Sequence, residues 1–247
     1  MTSVHIFHLL VAVHIVTGAL GLVCFWIPIL ARKGGAAHRT YGRGFVWLML
    51  LTGLVAVGIS LTSIYDPVAT HAHLLSHPDF GSAEIIRGIF GYMMIYLALL
   101  TVNLAWHGRL CVVHRRDQLA QRSWHNLTMQ VILGVASLNC LIQGVFVGLP
   151  LMMAISFVGI ATVATNVYYL YKPEPGPLDW QLEHIKSLVG AGISVYTAFF
   201  AFGAVRYVPA LALTPILWSV PLITGLALII YHQHQVRQRL RPRRRVA

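Results

Sequence analysis

The sequence predicts an all-α polytopic membrane bundle of about seven transmembrane helices, with the N-terminus outside and the C-terminus cytoplasmic. Three observations predict it. Of 247 residues, 57% are apolar and only 10% charged, with a mean hydropathy of +0.71, which is too apolar for a water-soluble domain. Apolar runs of roughly 20 residues, the length a helix needs to cross a bilayer, recur along the whole chain. They are continuously apolar and do not alternate with period two, which argues against a membrane barrel. Along an alternating seven-helix path, 16 of the 18 Lys and Arg fall on one side and only Arg87 and Arg206 on the other, and the positive-inside rule places the 16 in the cytoplasm. A soluble enzyme is thereby excluded. The formal charge of +11 is read as topology, with no nucleic acid as partner.

The chain is read as one transmembrane domain, 1–247. The first span, about 5–30, has no Lys or Arg before it and Arg32, Lys33, Arg39 and Arg43 after it. That charge order is opposite to a secretory signal, so the segment is expected to be retained. Further spans cover about 45–64, 85–106, 124–147, 151–171, 184–204 and 211–231, and a basic cytoplasmic tail covers 232–247. Pro150 closes a short outer turn and makes spans four and five an antiparallel hairpin. The polar segment Lys172-Pro-Glu-Pro-Gly-Pro177 links spans five and six. Pro215 suits a first helical turn, whereas Pro221 should bend the last span. The basic loops and the tail suit anionic lipid headgroups. Cys24, Cys111 and Cys140 form no C-x-x-C pair, so neither a disulfide framework nor a zinc finger is supported. No internal repeat points to an inverted-repeat transporter.

Thirteen histidines are many for such a chain, and ionisable groups at membrane depth are costly enough to imply a purpose. His38, His125 and His184 are expected near the cytoplasmic face and could converge. His14 lies about 13 Å down span one, beyond snorkelling reach, and Gly18 and Gly21 on its face leave room for another helix or a flat cofactor. His125, Met129, Ile132, Ala136, Asn139 and Gln143 fall on one stripe of span four, suited to a cofactor, a quinone or a proton path, or to hydrogen bonds between helices. Glu84 and Arg87 could pair at the outer entry of span three. Trp47, Trp106, Trp124, Trp180 and Tyr168, Tyr169 and Tyr171 fit an interfacial aromatic belt.

Two histidine chemistries follow. Bis-histidine ligation of haem b, with His14, His38, His125 and His184 as candidate cofactor-binding residues, explains neutral imidazoles in an apolar bundle, since each nitrogen lone pair gains an iron. His232, placed in the tail, is expected to lie outside such a site. At the outer face His5, His8, His71, His73, His77 and Asp79 offer imidazole and carboxylate to zinc or copper. Covalent-haem and metalloprotease motifs are absent, as are hydrolase, kinase and dinucleotide signatures. The resulting expectation is haem or metal binding with quinone-linked electron transfer. The alternatives are an accessory subunit with a membrane-complex partner and a carrier of metal ions, protons or small solutes.

The residues His14-Ile15 with Gly18 and Gly21, the stretch Arg32-Lys-Gly-Gly-Ala-Ala-His38-Arg39-Thr-Tyr-Gly42-Arg43, and Trp180-Gln-Leu-Glu183-His184-Ile185 before Tyr196 resemble a bacterial family of multi-helix membrane proteins of unknown function. The resemblance implies a helical bundle in a bacterial cytoplasmic membrane, with His14, His38 and His184 at recurring histidine positions. It implies no activity. His125 and the outer histidine-rich loop have no counterpart in that pattern.

Overall fold

The computed structural model describes residues 3–76, 81–203 and 215–239. His77 and Asp79 lie outside them, as do Arg206 and the end of the basic tail. Among the described residues, seven long helices account for most of the chain: α1 Ser3–Leu30, α2 Ala36–Tyr65, α3 Ala83–His114, α4 Trp124–Val147, α5 Pro150–Leu170, α6 Asp179–Ala198 and α7 Pro215–Gln238. Short helical turns fill the links, and there is no strand among the described residues. Within α3 the winding loosens to a π-helix over Arg87–Met93, and α6 runs on as a π-turn over Phe199–Gly203.

Among the described residues five helices, α1 to α5, are long and apolar enough to cross a membrane. α6 and α7 pack into the same bundle but are more polar, because α6 opens with Asp179, Glu183 and Lys186 and α7 closes with His232, Gln233, His234, Gln235 and Arg237. The outward faces of α1, α2, α4 and α5 carry exposed Val16, Val23, Leu54, Val131, Val135, Phe146 and Phe157, an apolar surface too extensive for water.

α3 is the axis of the molecule. Its most apolar stretch is 61% buried, against at most 33% for the other four, and α2, α4 and α6 pack directly on it. α1 then leans on α2, α5 on α4 and α7 on α6. The core runs through Phe25, Phe45, Met49, Ile89, Met93, Tyr96, Leu133, Met152 and Val189. The α4–α5 hairpin forms as its sequence predicts: Gly148 takes the left-handed conformation (φ 70°, ψ 30°) that ends α4, and Pro150 occupies the first turn of α5, where its missing N–H leaves no bond unmade. At the end of α1, Gly34 has a φ of 77°, and the Lys33 ammonium bonds the carbonyls of Pro28 and Ile29. This basic end of the bundle also holds the start of α4 and α6.

Candidate functional site

The buried stripe of α4 is Asn126, Gln130, Leu133, Ser137, Cys140 and Gly144. It has the same offsets as the stripe expected from the sequence but is shifted by one residue, a rotation of about 100°. His125 is therefore exposed and stacks on Trp124 at 3.7 Å between ring centroids. The inward stripe begins a hydrogen-bonded chain that crosses four helices. The Lys186 ammonium donates to Asn166 Oδ1 at 3.0 Å, and the Asn166 amide donates to Gln130 Oε1 at 3.2 Å and to Asn103 Oδ1 at 3.1 Å. Gln130 then donates to Asn126 Oδ1 at 3.3 Å, Asn126 to His107 Nδ1 at 3.4 Å, and His107 Nε2–H to Glu183 Oε1 at 3.2 Å. A Lys186–Glu183 ion pair closes the ring.

The direction of this chain follows from its ends. An ammonium can only donate and a carboxylate only accept, so each amide between them has one satisfactory orientation, with His107 donating through Nε2–H to Glu183 and accepting from Asn126 at Nδ1. His107, Asn126 and Asn166 are fully buried, and a completed network of this kind fixes the register of the helices it joins. His107 was not among the sequence candidates. The signal for it was available: Asn103/His107 and Asn126/Gln130 are i, i+4 polar pairs at the same end of two apolar spans.

Three of the candidate histidines, His14, His38 and His184, share one feature. Each donates its Nδ1–H to a main-chain carbonyl: His14 to Thr52 at 3.3 Å, His38 to Pro28 at 2.9 Å and His184 to Gly108 at 3.0 Å. Such a bond fixes the ring and leaves the Nε2 lone pair free to ligate. The Gly18 and Gly21 face beside His14 packs against Thr52 and Met49 of α2. His38 and His184 both lie at the basic end, within electrostatic reach of one another and of Lys33. His232 also lies at this end. It lies on α7, 9% exposed, within electrostatic reach of Lys33 and His38, and its Nε2 is buried without a hydrogen-bond partner.

At the opposite end, His5 and His8 are exposed. His71 is buried between Phe7 and Phe90, at 5.1 and 4.4 Å between ring centroids, and bonds Thr70 Oγ1 at 3.0 Å. His73 lies 6.3 Å from His71 between ring centroids. Burial, and secondarily the neighbouring His73, lowers the pKa of His71 from 6.5 to about 4. Among the described residues no group of three or more His, Cys, Asp or Glu is arranged to hold a metal ion. Arg87 donates Nε–H to the Ile64 carbonyl at 3.1 Å. Of the aromatic belt residues, Trp47 and Trp106 flank the Arg109 guanidinium at 5.2 and 5.3 Å, and Trp180 receives that of Arg115 at 5.5 Å.

Comparison with protein-family models, with curated proteins and with solved structures gives no match for this chain.

Proposed function

We propose that this chain is a seven-span bacterial inner-membrane protein that holds haem b at its cytoplasmic end through His38 and His184, and serves in membrane electron transfer. The observation that carries the reading is the shared anchoring of the two imidazoles, Nδ1–H on a main-chain carbonyl and Nε2 free, on elements within electrostatic reach of one another. A haem iron needs only two axial ligands from protein, whereas a bare ion needs three or four. The basic loop with Arg32, Lys33, Arg39 and Arg43 supplies charge for the two propionates. The 16-to-2 distribution of basic residues supports the orientation, and the packing of α6 on α3 and of α7 on α6 supports seven spans.

The test is the absorption spectrum of the purified chain, expressed with haem available, together with elemental analysis. A Soret band is expected, lost in His38→Ala and His184→Ala and retained in His125→Ala. A spectrum without a Soret band, in a protein that also carries no transition metal, would overturn the reading.

A further inference from the structure

Arg109 sits near the basic end of α3, little more than one helical turn before the helix stops at His114. Its guanidinium lies against two indoles, 5.2 Å from the centre of the Trp47 ring on α2 and 5.3 Å from that of Trp106. Lys33, Arg116, Arg122 and Lys186 at this end all donate to protein oxygens, whereas among the described residues the N–H donors of Arg109 meet no protein acceptor. No carboxylate stands by to neutralise it. α2 has none, and the one on α3, Glu84, is at the opposite end. The surface beside it is open: Trp47 is 56% exposed. Arg43, Trp47, Leu51 and Leu54 are all exposed and fall at offsets of 0, 4, 8 and 11, one face of α2 running from the basic end toward the middle of the bundle.

We propose that Arg109, walled by Trp47 and Trp106, is a binding site for one anionic phospholipid, its guanidinium fork donating to two oxygens of the lipid phosphodiester. A fork of this kind matches a phosphate bidentately, and indoles and phosphates share the same level of a bilayer. The two rings hold the guanidinium and keep water from it, so a charged acceptor gains more there than beside a free arginine. Leu51 and Leu54 continue the same face inward and give an acyl chain an apolar track. Arg43, one turn from Trp47 on that face, adds a second positive charge, which favours a lipid of net negative charge over one whose headgroup carries its own ammonium. The site rests on the membrane-spanning reading and uses none of the proposed haem ligands, so it stands or falls separately from the haem.

The full-length protein, delipidated in a neutral detergent, is titrated with dioleoyl phosphatidylglycerol and the first bound lipid is followed by native mass spectrometry, with dioleoyl phosphatidylcholine and inorganic phosphate in parallel. Phosphatidylglycerol is expected to occupy one tight site ahead of the others. Arg109→Gln should weaken it about tenfold. Arg109→Lys, which keeps the charge but loses the fork, should also weaken it, as should Trp47→Leu on the exposed surface. Arg239→Gln makes the same change of charge at the end of α7 and should leave it unchanged. If Arg109→Gln alters the melting transition, Arg109→Lys and Trp47→Leu decide the matter. Equal affinity in the wild type and all four variants, or a graded uptake with no tight first lipid, would overturn the site in favour of diffuse attraction to a basic protein. Phosphatidylcholine bound as tightly as phosphatidylglycerol would overturn the anionic preference, and inorganic phosphate displacing the lipid at equal concentration would overturn the lipid as occupant.

Discussion

At the residue scale, Glu183 holds more of the structure together than any histidine. It accepts from both His107 and Lys186, and removing it leaves the fully buried His107 donor without its acceptor and the partly exposed Lys186 ammonium with only Thr165 and Asn166. Breaking a buried pair from one side costs about 3–5 kcal/mol, so Glu183→Ala should destabilise the fold by roughly 3 kcal/mol in denaturant titration, with His107→Ala non-additive to it. Additive losses would show that the chain does not act as a unit. His71 makes the opposite prediction, about pH. Its folded pKa of about 4 lies below the ordinary 6.5, so between these values the unfolded chain binds a proton that the folded one refuses. Stability is therefore complete above pH 6.5 and declines as the pH falls toward 4. His71→Phe, which keeps a ring between Phe7 and Phe90, should flatten that slope in thermal scans, and an unchanged slope would remove His71 as its source.

At the element scale, close helix approach is set by glycine. A Cβ on Gly159 would meet the Ser137 hydroxyl and come within 2.6 Å of Tyr96, the residue whose hydroxyl bonds the Ile155 carbonyl at 2.6 Å. Gly159→Ala should cost about 1–3 kcal/mol by overpacking, whereas Gly134→Ala, with nothing within 4 Å, should be neutral or stabilising. Equal effects in denaturant titration would contradict the packing of α4 and α5 on α3. This scale also shows what was legible in the sequence. The hairpin was, because Pro150 restricts one turn by itself. The inward stripe of α4 was not, because two stripes one residue apart have identical periodicity, and the choice between them depends on Asn103, His107 and Asn166 of other helices. The placement of His38 and His184 at one end of the bundle could be read from their matched depth. The arrival of His232 could not, since it depends on α7 continuing through Gln238 into what reads as a tail.

At the scale of the whole molecule, composition alone was enough for the helical, membrane-spanning class, because five helices long and apolar enough to cross leave no other solvent for their outer faces. The count is less legible for α6 and α7, whose polar ends serve the basic end of the bundle. The proposed orientation can be checked with single added cysteines and a membrane-impermeant maleimide in intact cells. Ala72→Cys should label from outside and Gln238→Cys only after permeabilisation, and the reverse pattern would invert the topology. The central claim is that His38 and His184 ligate one iron. Electron paramagnetic resonance of the ferric, haem-loaded protein tests it most directly: the account predicts a low-spin bis-imidazole signal that becomes high-spin in His184→Gly and returns when free imidazole is added. A wild-type protein with no low-spin signal, or a His184→Gly variant whose signal is unchanged, would contradict it.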